Sequence, residues 1–273
     1  MTTQGTPIAF PLRAWLAVEV LFGVGAVLAI GVAPDQSATN FAWPIDPVVM
    51  AAVLGAFYMT SAPLFLLPLF SKRWEMIRVM ALPTALFSVI QLAATFLHWD
   101  KFTIGITPFY VWFASYLLPP PIFIAGYLWH QRRSKLQASL TSDDQIPNWL
   151  KWVLLIVGII FVISAVIAFF FPALLIPGFP WKLTPLTSRS LSGWLALVGV
   201  LMLFIRHENK RTRSRLATPM LIFILPALLL QMSRYADQVD WANPLLWLGL
   251  SLFAIVGLCG VYLAIGNWRE AMN

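Results

Sequence analysis

The chain is poor in charge, cysteine and histidine. Only 11% of its 273 residues are charged, whereas a soluble globular domain carries about 25%. Its one cysteine, Cys259, has no partner within the chain, which excludes an intramolecular disulfide. Hydrophobic residues make up 60% of the sequence, and the mean hydropathy is +0.80. These values argue against a soluble enzyme, a disordered protein or a disulfide scaffold, and they indicate an integral membrane protein.

Eight apolar segments are long enough to cross a membrane. A helix spanning a hydrocarbon core of about 30 Å needs roughly 20 mostly apolar residues. The runs are continuous, without the alternation that marks the strands of a barrel. We therefore predict an all-α integral membrane protein with eight transmembrane helices. The predicted spans are Leu12–Val32, Pro47–Phe70, Trp74–Leu97, Thr107–Trp129, Ile146–Leu175, Leu191–Ile205, Ala217–Ser233 and Pro244–Ile265.

The distribution of Lys and Arg predicts the orientation of these spans. Of the 18 basic residues, the four on the sparse side are Lys101, Lys182, Arg189 and Arg234. The positive-inside rule assigns the other side, and with it both termini, to the cytoplasm. The net charge of +7 then reflects membrane topology. No basic segment is long enough to form a nucleic-acid-binding domain, so we expect no nucleic-acid partner.

The order of sequence motifs indicates an internal duplication. The pattern F-x-W-x-x-x-P occurs at residues 41–47 and again at 179–185. The same offset relates Gly55 to Gly193 and the basic pair 72–73 to the pair 210–211. Each repeat holds four spans, so the repeats run in the same direction and predict a pseudo-two-fold axis along the membrane normal. The predicted domains are a first repeat at 1–133, a cytoplasmic linker at 134–148 and a second repeat at 149–273.

Four motifs together resemble an uncharacterised family of bacterial multi-pass membrane proteins. They are the F-x-W-x-x-x-P pattern, the basic Lys-Arg turn, the segment Leu97–Phe102 (LHWDKF) and the segment Tyr116–Pro121 (YLLPPP). The resemblance covers most of each repeat. It implies a location in the bacterial plasma membrane and carries no assigned activity.

Four polar residues within the spans are candidates for an intramembrane site: Glu19, Arg78, Gln91 and Gln231. An ionisable group there costs about 2.5–3.5 kcal/mol, so it needs a partner or a function. Glu19 and Arg78 enter from the same side, which allows an ion pair between them. The pair could be structural, or Glu19 could form a proton or cation site. Gln91 and Gln231 lie at related depths and could hold a polar headgroup or a quinone, or simply link helices.

A second candidate site lies on the predicted outer face, where the loops hold His98, Asp100, Asp237 and Asp240. A histidine near carboxylates can bind a metal or act as acid and base. The spacing matches no zinc motif, however, and Lys101 could simply neutralise Asp100. No histidine lies inside a span, which disfavours haem. We therefore predict neither a metal nor a cofactor.

Prolines fall within several spans and should kink or break them. They are Pro63 and Pro68 in the second span, Pro83 in the third, Pro119–Pro121 in the fourth and Pro226 in the seventh. Carbonyls freed by such breaks survive in a membrane only where protein or a water-filled cavity satisfies them. The triple proline therefore points to an internal pocket, although kinks that only shape packing explain it equally well.

Three functions are compatible with the sequence. The favoured one is a non-catalytic membrane component that binds lipid or associates with other membrane subunits, because polar chemistry is sparse. The second is a small-solute transporter with a site at the repeat interface, motivated by the duplication and the interrupted helices. The third is an intramembrane enzyme that uses the outer-face histidine and carboxylates.

Overall fold

The computed structural model describes residues 5–134 and 144–265, and within them the regular structure is helical apart from two isolated β-bridges. Eight of these helices are long and apolar enough to cross a membrane, so the chain is a multi-pass membrane protein. The predicted number of spans is confirmed. In chain order they are α1 (Phe10–Val32), α2 (Val48–Phe70), α3 (Arg78–Leu97), α4 (Thr107–Arg133), α5 (Asn148–Phe170), α6 (Pro185–Glu208), α7 (Arg211–Ser233) and α8 (Pro244–Ala264).

Four helices form the centre of the bundle and four surround them. In the most apolar stretch of each helix, the buried share is 78% in α2, 72% in α6, 61% in α3 and 56% in α7, against 28–33% in α1, α4, α5 and α8. The outer helices expose large apolar side chains such as Leu28, Ile163 and Leu258. A continuous apolar surface of this kind suits contact with lipid chains rather than water.

Small residues bring pairs of helices into close contact. A Cβ atom added to Gly55 on α2 would lie 2.5 Å from Gly31 Cα on α1. In the same way, a Cβ atom on Gly199 of α6 would lie 2.8 Å from Gly158 O of α5. Glycine at these positions allows the two backbones to approach, as is common where helices pack inside a membrane.

The fifth helix is shorter than the sequence predicts. The apolar run continues to Leu175, but α5 ends at Phe170. Pro172 lacks a backbone N–H and cannot continue the hydrogen-bond ladder, so a separate short helix, Pro172–Leu175, follows.

The sixth helix begins at Pro185 rather than at Leu191. The polar residues of its first turns mask the signal in the sequence, yet most of them form hydrogen bonds in the fold. Thr184 caps the helix by accepting a hydrogen bond from Thr187 N–H. Arg189 Nε donates to Phe169 O at the end of α5, at 3.0 Å.

Only the triple proline interrupts a helix in the predicted way. Helix α4 consists of the segments Thr107–Leu117 and Pro119–Arg133, with the interruption at Leu118. The helices that contain the other interior prolines are continuous through Pro63, Pro68, Pro83 and Pro226.

The two ends of the bundle differ in composition. We call the end at which α2 is followed by α3 the basic end, because Lys72, Arg73 and Arg211 lie there, and the other end the Trp-loop end. At the Trp-loop end the two F-x-W-x-x-x-P loops meet through an exposed ion pair between Lys182 and Asp46. Residues 135–143 of the predicted linker, and with them Lys135, lie outside the described residues, as does Arg269.

Candidate functional site

A cavity of about 320 Å³ lies among the first four helices, with two residues of α6 completing its wall. This volume falls at the lower end of the range for small-molecule sites, and the cavity contains one of the predicted site residues, Glu19. The helical segment of α4 before the triple proline forms one side. The residues that line the cavity include Glu19, Gly25, Tyr58, Thr84, Val111, Tyr116 and Trp194.

The cavity runs from a buried interior to the surface of the bundle. Glu19 and Tyr116 are only 7% and 3% exposed. Val111 on α4, by contrast, is 42% exposed, and Gly25 on α1 has open space where a Cβ atom would lie. The mouth therefore lies between α1 and α4, on the apolar flank of the bundle.

Three buried polar atoms of the cavity residues have no hydrogen-bond partner within the described part of the chain. They are Glu19 Oε1, Thr84 Oγ1 and Trp194 Nε1. Thr84 and Trp194 are each 1% exposed, so bulk water does not reach them freely. Buried polar groups are normally hydrogen-bonded, and leaving one unpaired costs about 1–3 kcal/mol. All three atoms belong to residues that line one cavity, which makes this cavity the candidate site for a polar ligand group.

Four other hydroxyl groups of the cavity take part in internal hydrogen bonds. The hydroxyls of Tyr58 and Tyr116 form a short hydrogen bond with each other between α2 and α4. Ser61 Oγ donates to Tyr58 O and Ser88 Oγ donates to Thr84 O, both at 3.0 Å. These bonds fix the side chains that surround Glu19 and leave the serine oxygens with lone pairs that can still accept.

The cavity carries no positive charge of its own. None of the described residues that line it is Lys, Arg or His. Trp15, one turn before Glu19 on α1, has an indole N–H that completes no hydrogen bond with the carboxylate. Glu19 therefore faces the cavity without a cationic partner.

The expected pairing of Glu19 with Arg78 is wrong. Arg78 instead forms a bidentate ion pair with Glu208 at the end of α6, with both N–O distances at 2.6 Å. Arg213 binds the same carboxylate at 2.8 Å. The contact joins the start of α3 to the end of α6 and the start of α7. Glu208 lies 130 residues from Arg78 in the chain, so the sequence could not indicate this pair.

Two buried acids at the basic end were missed by sequence analysis. Glu208 has a side chain only 6% exposed, and Glu75 is 2% exposed. Glu75 accepts hydrogen bonds from Thr6 N–H and from Ser134 Oγ, the latter at 2.6 Å. Burial would raise the pKa of Glu75, but these hydrogen bonds outweigh it and hold the pKa below its ordinary value. Glu75 links the N-terminal segment to the end of α4, and Glu208 links α3 to α7. Both acids lie outside the cavity.

Gln91 and Gln231 link helices. Gln91 Nε2 donates to Ser190 O on α6 at 3.0 Å, and Gln231 Nε2 donates to Gly31 O on α1 at 2.9 Å. Each amide thus binds a different backbone carbonyl, and within the described residues no hydrogen bond joins the two. This geometry supports the interpretation as interhelical links and not a shared headgroup site.

The residues of the predicted outer-face site make separate contacts within the described part of the chain. His98 Nε2 contacts Arg189 at 2.6 Å, and burial together with the Arg189 charge lowers the pKa of His98. Asp100 is paired with Lys101 at 2.8 Å, and that hydrogen bond lowers the pKa of the exposed carboxyl. Asp237 and Asp240 lie in the loop between α7 and α8. Across residues 5–134 and 144–265, no three His, Cys, Asp or Glu side chains could hold a metal ion.

A second cavity of the same volume, about 320 Å³, lies among the last four helices. Two α2 residues, Val53 and Phe57, complete its wall. Ser164 carries the only hydroxyl among the described residues that line it. The ring of Phe57 stacks on the ring of Trp194 from the first cavity, with centroids 5.3 Å apart. The two cavities thus lie on either side of this stacked pair, and among the described lining residues only the first has an acidic side chain.

Comparison with known proteins adds no assignment. No family model matches the chain, and no curated protein or solved structure is similar to it. The chemistry of the first cavity is therefore the basis for assigning a function.

Proposed function

We propose that this protein is a non-catalytic membrane component that binds a lipid-like molecule in the first cavity. The observation that carries the proposal is the set of three buried polar atoms without hydrogen-bond partners, on Glu19, Thr84 and Trp194. The mouth between α1 and α4 supports entry from the bilayer. An amphipathic ligand would satisfy these atoms with its headgroup and leave its apolar chain among the apolar side chains near the mouth.

The geometry gives less support to the other two hypotheses. An outer-face enzyme would need His98 near the carboxylates of both loops, but His98 contacts Arg189 and Asp100 is paired with Lys101. A transporter with a site between repeats would need polar groups from both halves at that interface. In the first cavity, Trp194 is the only second-half residue that offers such a group.

Filling the mouth of the cavity tests the proposal. A Cβ atom added to Gly25 would meet no neighbouring atom within 4 Å, so Gly25→Trp should fold and block the first cavity. Gly249, on α8 beside the second cavity, is equally open and provides the matched control Gly249→Trp. The measurement is native mass spectrometry of protein released from its own membrane. We expect a lipid adduct on the wild type and on Gly249→Trp and its loss from Gly25→Trp; adducts that survive in Gly25→Trp contradict the proposal.

We also propose that the chain arose by duplication of a four-helix unit, giving two parallel repeats about a pseudo-two-fold axis. Helix packing supports this: α1 contacts α2 as α5 contacts α6, and α3 contacts α6 as α7 contacts α2. The two isolated β-bridges pair residues 7 with 73 and 145 with 210, at nearly the offset of the sequence motifs. Each cavity is lined by four helices of one repeat and the second helix of the other.

We propose further that the protein resides in the bacterial plasma membrane with the basic end and both termini in the cytoplasm. The excess of Lys and Arg at the basic end supports this orientation. Single cysteines introduced at Asn40 and at Lys72, in a Cys259→Ala background, test it. A membrane-impermeant thiol reagent applied to intact cells should label the Asn40 position only; labelling of the Lys72 position alone would reverse the orientation.

A further inference from the structure

We infer that the ligand of the first cavity has an uncharged headgroup with at least one hydroxyl. This inference rests on the proposed lipid-binding function and specifies the chemistry of the ligand. It follows from the hydrogen-bonding roles of the three unpaired atoms, from the charge of the cavity wall and from the contrast with the second cavity.

The unpaired atoms require a headgroup that both donates and accepts. Trp194 Nε1 carries a hydrogen and can only donate, so it needs an acceptor on the ligand. Glu19 Oε1 can accept a hydrogen bond from a donor on the ligand. Thr84 Oγ1 can play either role. A hydroxyl group both donates one hydrogen bond and accepts two, and it therefore matches all three kinds of atom.

An anionic headgroup does not fit this wall. A phosphate or carboxylate would lie near Glu19, and no Lys, Arg or His among the described lining residues would compensate for the added negative charge. Taking an anion out of water without a cationic partner is strongly unfavourable. Phospholipids with anionic headgroups are therefore expected to be excluded.

A cationic headgroup fits only part of the wall. An ammonium group would pair with Glu19, but it donates only and has no lone pair for Trp194 Nε1. That N–H, which is buried with its residue at 1% exposure, would remain unpaired beside a second donor. The hydroxyl headgroup leaves no such mismatch.

The second cavity provides a comparison for the polar side chains of the first. It has the same volume and the same arrangement of helices, yet its lining offers one hydroxyl, on Ser164, and no acid. Structural packing alone thus does not require polar atoms at this place in the fold. Only the first cavity has Glu19, Thr84 and the Tyr58–Tyr116 pair. This difference between the two cavities supports recognition of a headgroup in the first.

Photo-crosslinking with matched probes tests the inference. Four probes share one saturated chain with a diazirine and differ only in the headgroup: a single hydroxyl, a monoacylglycerol, a primary ammonium and a phosphate monoester. The full-length protein in nanodiscs of zwitterionic lipid is irradiated with each probe, and labelled peptides are located by mass spectrometry. We expect the two hydroxyl-bearing probes to label the Gly23–Ala29 and Val111–Ser115 peptides at least about tenfold more than the charged probes, the size of one lost hydrogen bond to a charged group.

Variants of the unpaired residues separate headgroup recognition from mere filling of an apolar space. Glu19→Leu should lower labelling by the hydroxyl probes about tenfold, and Trp194→Phe should lower it several-fold. Glu19→Gln, which keeps an acceptor oxygen, should retain most of it. Ser164→Ala in the second cavity is the matched control and should leave labelling unchanged. A preference for the single hydroxyl over the monoacylglycerol, or the reverse, identifies which source of the hydroxyl the cavity accepts.

The outcomes distinguish the two levels of the proposal. Labelling of the cavity peptides by all four probes alike, or preferentially by the ammonium or phosphate probe, would overturn the hydroxyl headgroup and leave lipid binding intact. Labelling that avoids the cavity peptides with every probe would overturn both.

Discussion

The close contact between α1 and α2 at Gly55 predicts how much stability a larger side chain at this position costs. In Gly55→Ala the new Cβ atom would lie 2.5 Å from Gly31 Cα and 2.6 Å from both Gly31 N and Ile30 O. All three neighbours are backbone atoms, so no side chain can rotate away. The separation must rise above 3.0 Å, so the backbone of α1 must shift away from α2.

That movement disturbs more than one contact. Gly31 O accepts hydrogen bonds from Gln231 and from Arg234, so the displaced α1 also strains its link to α7. Overpacking typically costs about 1–3 kcal/mol, and because the neighbours here are backbone atoms the upper part of that range applies, about 2–3 kcal/mol. The gain in helix propensity from Gly to Ala, about 1 kcal/mol, offsets part of it. We expect a net loss of about 1–2 kcal/mol, or a fall in Tm of about 2–8 °C.

The chain provides its own reporter for this measurement. Cys259 is the only cysteine in the sequence and is 4% exposed on α8. A thiol-reactive dye therefore becomes fluorescent only as the bundle opens, and its signal during heating in detergent gives Tm. Gly199→Ala, whose Cβ would lie 2.8 Å from Gly158 O, should show a similar fall.

Gly249→Ala is the control, because nothing lies within 4 Å of the added atom. Its Tm should stay the same or rise slightly through helix propensity. A Gly55→Ala protein with a Tm equal to that of the wild type would refute the backbone contact, and with it the described approach of α1 to α2.

Two further predictions use the same dye assay. Arg78→Met should lower Tm by breaking a largely buried ion pair, but Arg213 still binds the Glu208 carboxylate, so the loss should stay below the roughly 3–5 kcal/mol of an uncompensated buried charge. A Tm equal to that of the wild type would contradict the pairing. Because burial and Arg189 lower the pKa of His98 below 6.5, the unfolded state binds the proton more readily. Stability should therefore fall as the pH drops below about 6.5, and His98→Gln should reduce this dependence.

Much of the fold follows from the apolar runs of the sequence, because a helix in a membrane must satisfy its backbone internally and needs a fixed length. All eight spans were predicted for this reason. The start of α6 was missed, since Ser188 and Arg189 look like loop residues until their acceptors, Ala168 O and Phe169 O, are known. Both acceptors belong to the end of another helix, and only the packed structure brings them close.

The candidate site was predicted in part for the same reason. Glu19 stands out in the sequence because an isolated acid inside an apolar span is expensive. Tyr58, Thr84, Tyr116 and Trp194 give no such signal, since hydroxyl and aromatic residues are common in spans. Four helices carry them, and their meeting around one space depends on tertiary packing. The ion pair assigned to Glu19 was wrong because depth in the membrane does not reveal which faces of two helices turn toward each other.

The difference between the two cavities connects the proposed duplication to the proposed function. If two copies of one unit pack about an axis, each generates a side cavity as a consequence of the same helix crossings, whether or not it is used. The stacked rings of Phe57 and Trp194 separate the two spaces, with Phe57 lining the apolar cavity and Trp194 the polar one. Unpaired buried polar atoms reduce stability. Retaining them on one side only is reasonable if a ligand completes their hydrogen bonds there, while the other side is free to become apolar and serve packing.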